Sequence, residues 1–116
     1  MTAPNIVNVT NISAQTAVLA TTSSYANLVV NLAGSSTVVK VNMITVTNYS
    51  PTNFVANVDI YRNSTSYPII GNVTVPANSS IIVSAKDTAF YLEEGDRVRA
   101  STSNSSTAIA SFEVIS

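Results

Sequence analysis

Apolar and polar residues alternate with a period of two along most of this chain. In the segment FVANVDIYRN, Phe54, Ala56 and Val58 fall on one face. The residues between them, such as Asn57 and Asp59, fall on the other face. This alternation is typical of a β-strand with one face in the core and the other in water. DRVRASTS and TAIASFEVIS repeat it, so the pattern predicts a chain built of half-buried strands.

Two further segments refine the predicted strands. In YPIIGNVTVP the alternation places four side chains in the core, which are Tyr67, Ile69, Val73 and Val75. In TVVKVNMITVTN the phase of the apolar residues slips near Met43 and Ile44. A β-bulge at that point would return both halves of the strand to the core, because one extra residue restores the alternation.

Turn-forming segments separate the strands, among them NLAGSS, NYSPTN, PANSS, EEGD and TSNSS. Their Gly, Pro, Asn, Asp and Ser residues are those that turns favour. The spacing predicts about seven or eight antiparallel strands, and such strands pack as two sheets. We therefore predict an all-β antiparallel β-sandwich of jelly-roll or immunoglobulin-like type. With no Cys and no Trp, the chain lacks the core disulfide and tryptophan of antibody domains.

The length of 116 residues fits one domain. We predict that residues 15–116 form the sandwich and that residues 1–14 form an extended N-terminal arm or an edge strand. The start MTAPNIVNVTNISAQ has neither the basic nor the apolar region of a secretory signal, so we expect no export by that route. No segment approaches the ~20 apolar residues of a membrane helix, so we expect no membrane span.

Composition argues against several classes of function. The chain has no His and no Cys, which removes the commonest general base and the thiolate nucleophile. Five basic residues and a net charge of -1 make a poor surface for a phosphate backbone. None of the three glycines belongs to a phosphate-binding loop. We expect a protein that is not an enzyme, with no catalytic residues, no cofactor and no bound nucleic acid.

Charge is concentrated in one stretch, FYLEEGDRVR. The carboxylates of Glu93, Glu94 and Asp96 lie close together in sequence, which suggests a calcium site or, less strongly, a catalytic carboxylate pair. The same residues suit a tight hairpin turn, because Gly95 adopts positive φ freely and an Asp side chain bonds to turn backbone. We favour the structural turn over Glu93, Glu94, Gly95 and Asp96, and assign no metal ligands. The calcium site stays open as the alternative.

Basic and aromatic residues offer two further candidates on the outer faces of the strands. Arg97 and Arg99 are predicted to pair across strands with Asp59, Asp87 or Glu113. Five tyrosines would suit a sugar-stacking platform on a lectin-like sandwich, and they are Tyr25, Tyr49, Tyr61, Tyr67 and Tyr91. The preferred interpretation places them at strand ends with their hydroxyl groups in water.

Apolar residues also occupy faces that should meet solvent. The last predicted strand is apolar on its outer side, and the N-terminal segment NIVNVTNI is apolar on both sides. The residues concerned are Ile6, Val7, Val9, Ile12, Ile109 and Ile115. Soluble chains normally cover such edges and patches. We therefore predict that these residues contact a partner, and that the protein is a homo-oligomer whose N-terminal segment acts as an arm or a swapped strand.

Three stretches form a longer pattern: VVKVNMITVTNYSPTNFVANVDIYRN, NVTVPANSSIIVSAKDTAFYLEEGDRVRASTS and the terminal ASFEVIS. Together they resemble small virion structural proteins of tailed phages, especially marine cyanophages. The resemblance implies a capsid decoration or cement protein, or an accessory piece of the neck or tail. It also implies symmetric packing on a protein shell, with a trimer favoured, and no catalysis.

We therefore expect a capsid decoration or cement protein that stabilises the head by bridging major capsid subunits. Its partners would be the major capsid protein or other virion proteins, and it would be located in the virion after synthesis in the bacterial cytoplasm. Two alternatives stay open. One is a neck, tail or fibre accessory protein, and the other, from a different class, is a carbohydrate-binding or adhesin module.

Overall fold

The computed structural model describes residues 11–116, with the exception of the Lys86 side chain. This range forms nine strands and a short 3-10 turn at Lys86–Thr88. The strands are β1 (Ile12–Thr21), β2 (Ala26–Val30), β3 (Val38–Asn48), β4 (Phe54–Arg62), β5 (Thr65–Val75), β6 (Ser79–Ser84), β7 (Phe90–Leu92), β8 (Arg97–Thr102) and β9 (Ser106–Ile115). No helix in this range is long and apolar enough to cross a membrane. The predicted all-β fold is confirmed.

The nine strands form two antiparallel sheets. Sheet A has the order β1-β9-β3-β6, and β7 also pairs with β3. Sheet B has the order β2-β8-β4-β5. With β7 set aside, the first strand pairs with the last, the second with the next to last, and so on inward. That nesting is the order of a jelly roll, whereas in an immunoglobulin fold the first strand lies beside the second.

The core lies between the sheets and consists mostly of β-branched side chains. Val41 and Ile44 of β3 and Val58 of β4 are fully shielded from solvent. Such residues fit a pleated surface that is buried on one face. At the centre of sheet A, β9 contributes the small residues Ala108 and Ala110. The other members of the core are Leu28, Val29, Val39, Val46, Phe54, Ala56, Val75, Leu92, Val98 and Ala100.

A β-bulge interrupts β3, just before the predicted position. The register of β3 against β9 shifts between Val41 and Met43, so Asn42 is the extra residue. Because the alternation restarts after Asn42, both Val41 and Ile44 face the core and are fully buried. The predicted bulge near Met43 and its effect on the core are therefore confirmed, with Asn42 as the extra residue.

The prediction for β5 is wrong for part of the strand. Val75 is buried and Ile69 is half-buried, but Tyr67 and Val73 are exposed. β5 is the edge strand of sheet B, and its register against β4 shifts twice, between Ala56 and Val58 and at the next residue. The two shifts break the alternation that a regular strand would keep, and an edge strand has one neighbour fewer to cover it.

Residues 12–14 were predicted to belong to an arm or an edge strand, and they lie in an edge strand. β1 starts at Ile12 and forms one edge of sheet A. Asn11 exchanges two backbone hydrogen bonds with Ser116, at 3.0 and 2.9 Å, which places this point of the chain beside the last residue. Ile6, Val7 and Val9 lie outside the described residues.

Candidate functional site

The predicted interaction residues within the described range differ in exposure. Ile12, on the edge strand β1, is 61% exposed. Ile109 on β9 is half-buried. Ile115 is only 4% exposed, because it lies on a central strand between Ile12 and Val38 in the register of the sheet. The prediction that Ile115 offers a contact surface is therefore wrong.

A row of side chains crosses the outer face of sheet A from edge to edge. The register places its four members directly opposite one another, and they are Val18, Ile109, Thr45 and Ile82. We call this set the outer row. Val18 is 69% exposed and Ile82 is 70% exposed, while the two central members are half-buried. Since soluble proteins seldom expose contiguous apolar residues, the outer row is the candidate interaction surface.

Sequence reasoning missed the two ends of the outer row. A local signal for both exists, since Val18 stands in AVLA and Ile82 stands in IIV. A strand that carries three apolar residues in succession must point at least one of them away from the core. The flanking residues Leu19, Ile81 and Val83 pack against the core, which leaves Val18 and Ile82 outside.

A groove of about 540 Å³ lies beside the outer row on the same face. It opens where the bulge at Asn42 meets the end of β6, because β7 there replaces β6 as the neighbour of β3. Most of the surface exposed in the groove is apolar, and the residues that line it are Lys40, Asn42, Met43, Ile82, Ala85, Ser111 and Glu113. Lys40 and Glu113 are directly opposite in the register. The groove is thus neutral overall and suits a protein surface better than a phosphate group.

The acidic segment forms a turn that joins the two sheets. Asp96 donates its backbone N–H to the Glu93 carbonyl at 3.0 Å, and Gly95 has φ 88°. The turn connects β7 of sheet A with β8 of sheet B, so it is not the hairpin that was predicted. Glu94 is almost fully buried, and its carboxylate accepts the backbone N–H groups of Gly34 and Ser36 at 3.2 and 3.0 Å.

The third carboxylate of this turn, that of Asp96, is buried against an arginine. Asp96 Oδ1 accepts from Arg62 Nε at 2.8 Å, and Asp96 Oδ2 accepts from the Glu93 N–H at 2.9 Å. Arg62 also lies 3.0 Å from the Glu93 carboxylate. These contacts raise the pKa of Arg62, first through the hydrogen bond to Asp96 and then through the two negative charges. Within the described residues, no group of three acidic side chains has the geometry of a metal site.

We expect calcium to leave the stability of the protein unchanged, because Glu94 and Asp96 already hold backbone N–H groups and Arg62. The measurement is a thermal melt with calcium in excess and a second melt with a chelator. A ligand that binds only the native state raises the melting temperature by mass action. A shift of several degrees would therefore show that the turn binds calcium and overturn its structural role.

A second ion pair lies on the outer face of sheet B. Asp59 is fully buried, and its Oδ1 accepts from Arg99 Nε at 3.0 Å. Ser66 donates a further hydrogen bond to the same carboxylate. The hydrogen bond to Asp59 is the largest of the effects that raise the pKa of Arg99. The predicted pairing of Arg99 with Asp59 is confirmed.

Arg99 also stacks between two of the tyrosines. Its guanidinium carbon lies 4.4 Å from the centre of the Tyr25 ring and 4.0 Å from that of Tyr61. Arg97 lies 5.5 Å from the Tyr61 ring, and no carboxylate in the described part of the chain pairs with it. Because Tyr25 and Tyr61 turn ring faces to a guanidinium, those faces are occupied. The remaining tyrosines, Tyr49, Tyr67 and Tyr91, are exposed on other elements and do not join them in one platform.

Comparisons with known proteins bear on the fold alone. No protein-family model and no curated protein matches the chain. Among solved structures, the chain is similar to one from Bacillus endospore appendages, which are described as a novel family of disulfide-linked pili. The TM-score is 0.53 at 11% sequence identity, over 99% of this chain and 95% of the other. This chain thus shares the overall fold of that solved structure.

Proposed function

We propose that this chain is a non-catalytic structural subunit of a larger protein assembly. The observation that carries the proposal is the outer row, whose ends Val18 and Ile82 are among the most exposed large apolar residues. Burying apolar surface is the main driving force of protein association. Partners in an assembly would cover the outer row, which in the isolated chain meets water.

The assembly that we propose is a phage virion, in which the chain decorates the capsid and bridges major capsid subunits. The resemblance to virion proteins supports this choice, because the segments that carry it also form the groove. Every residue that lines the groove, from Lys40 to Glu113, falls within the three stretches that carry the resemblance. Those stretches therefore supply a continuous surface, and a continuous surface is what a capsid subunit would contact.

The chemistry of the face also favours a protein partner. The strands that form it carry few charges, and the two beside the groove, Lys40 and Glu113, have opposite signs. Interface centres are depleted of charge, since a charge loses its water on burial. Hydroxyl and amide groups such as those of Thr45, Ser111 and Asn42 also lose water on burial, but the cost is smaller than for a charge and hydrogen bonds to a partner's backbone offset it. Residues 1–10 would add a second contact to a neighbouring subunit.

A filament subunit is the second candidate, and one observation favours it. The similar solved chain comes from endospore appendages described as pili, and it matches this chain over nearly its full length. The pili are described as disulfide-linked, whereas this chain has no Cys. Any filament of this chain would therefore be held together without disulfide bonds.

Removal of residues 1–10 should leave the sandwich folded and abolish attachment to phage heads. The deletion ends before Ile12, where β1 begins, so no residue of either sheet is lost. The measurement is co-sedimentation with intact heads that lack the protein, alongside a thermal melt of the truncated chain. Full-length protein is the reference, and unchanged binding after truncation would show that the arm takes no part.

Three assays on the purified protein distinguish a decoration protein, a filament subunit and a carbohydrate-binding module. Binding to heads supports the decoration protein, and growth of fibres in the absence of heads supports the filament. Specific binding to a glycan array, lost in a Tyr25→Ala variant, would support the carbohydrate-binding module. A protein that stays monomeric at high concentration and binds neither heads nor glycans would contradict the proposed role in an assembly.

A further inference from the structure

We propose that β1 pairs with β1 of a second copy of this chain, antiparallel and in the register that places Gln15 opposite Gln15. The inference rests on the proposed assembly role and names one of its contacts. Among the described residues, β1 is the edge strand of sheet A and pairs with β9 alone. The outer edge of such a strand presents backbone N–H and C=O groups that another strand can bind.

β1 lacks the features that usually protect an edge. Its sequence ISAQTAVLAT has no charged residue, no Pro and no Gly, and its register with β9 is unbroken. β5, the long edge strand of sheet B, carries Pro68, Gly71 and two register shifts. The other edge strands are shorter, with five residues in β2, six in β6 and three in β7. Of the edges described, β1 is therefore the long one that remains open to pairing.

The directions of the backbone groups on β1 follow from one hydrogen-bonded pair. Asn11 and Ser116 exchange both of their backbone hydrogen bonds, at 3.0 and 2.9 Å. In an antiparallel ladder, hydrogen-bonded pairs alternate with pairs that are not hydrogen-bonded. Odd-numbered residues of β1 therefore bond to β9, and even-numbered residues from Ile12 to Ala20 turn their N–H and C=O groups to the open edge. A second β1 strand offers the complementary set.

The side chains select one register. With Gln15 on the two-fold axis, Ile12 of each copy lies opposite Val18 of the other, on the outer face. Ile12 and Val18 are the two large apolar residues that β1 exposes most, and this register covers both. No like charges meet, because β1 carries none. The contact is isologous and closes at two copies, so it differs from the interface that a trimer would use.

Cysteine cross-linking tests the register directly, because the chain has no Cys of its own. In the proposed pair, the two Gln15 Cα atoms are about 4.5 Å apart, within the range that a disulfide spans. We expect a Gln15→Cys variant to form a covalent dimer under mild oxidation, about tenfold more than a Ser13→Cys variant. In this register the two Ser13 residues stand about 14 Å apart, which no disulfide can bridge.

Mixed variants and a truncation complete the test. Ser13→Cys and Ala17→Cys proteins, mixed, should cross-link to each other, since these residues lie opposite in the proposed register. Equal cross-linking of Gln15→Cys and Ser13→Cys would overturn the inference. So would a Gln15→Cys cross-link that forms only after residues 1–10 are removed, because the arm would then occupy the edge. If Gln15→Cys does not cross-link but the reduced protein binds heads, the pairing fails and the proposed function stands. If Gln15→Cys does cross-link but the dimer enters no larger assembly, the pairing stands and the proposed function fails.

Discussion

Replacement of Asp59 with alanine should lower the free energy of unfolding by about 3–5 kcal/mol. Asp59 is fully buried, and the substitution would leave the Arg99 guanidinium without the carboxylate that holds it. A charge left without its partner in a partly buried site costs more than the pair contributed, because its water is not restored. For a domain of this size, the melting temperature should fall by about 10–20 °C. Chemical denaturation monitored by circular dichroism measures the change.

Two variants identify the cause of that loss. Asp87→Ala removes a carboxylate from an exposed position on the 3-10 turn, and we expect a change within about 0.5 kcal/mol. A double variant, Asp59→Ala with Arg99→Met, should recover part of the stability, because the unpaired charge is gone. If Asp59→Ala alone changes the unfolding free energy by less than about 1 kcal/mol, the ion pair does not stabilise the sheet.

Strands could be predicted from the sequence, but their partners could not. The alternation of side chains is local, and it located β4, β8 and β9 directly. Strand pairing is set by contacts between distant segments. Phe90–Leu92 and Arg97–Thr102 flank a tight turn, as the strands of a hairpin do, yet they belong to different sheets. The acidic turn was predicted as a turn for sound local reasons, while its role as a link between sheets depends on the topology.

The exposure of residues on the outer faces also depends on contacts between distant segments of the chain. Ile115 and Ile109 have the same phase on β9, but Ile115 is covered by its neighbours in the sheet and Ile109 is only half-buried. Asp59 has the phase of an exposed residue and is fully buried, because Arg99 and Ser66 close over it. The phase of a residue fixes its face, but the neighbouring strands decide whether that face meets water.

Buried asparagines were also beyond local reasoning. Asn31 follows β2, and its side chain donates to the carbonyls of Thr37 and Leu92, both at 3.0 Å. Its Oδ1 accepts from the hydroxyls of Ser35 and Thr37, at 2.8 and 2.9 Å. In sequence such an Asn is typical of a turn. The bond to Leu92 joins residues that are 61 positions apart in the sequence, so only the folded structure reveals that Asn31 ties the two sheets together.

Replacement of Ile82 with glutamate should weaken attachment to phage heads by at least about 30-fold and leave the melting temperature within about 2 °C of the wild type. Ile82 is 70% exposed, so the carboxylate stays in water in the free protein. On binding, the same carboxylate would lose its water beside the apolar outer row and groove. Co-sedimentation with intact heads over a range of concentrations gives the affinity, and a thermal melt gives the stability.

A matched variant shows whether weaker binding comes from the position of the new charge or from the addition of any charge. Thr74→Glu adds a carboxylate at an exposed position of β5, on sheet B, and should bind heads as the wild type does. The β1 contact offers a second separation, because Ile82 lies on β6, at the opposite edge of sheet A. Gln15→Cys with Ile82→Glu should therefore still cross-link, while its attachment to heads is weakened as in Ile82→Glu alone. Wild-type binding by the Ile82→Glu variant would mean that heads contact another surface, since a glutamate buried in an apolar interface weakens binding.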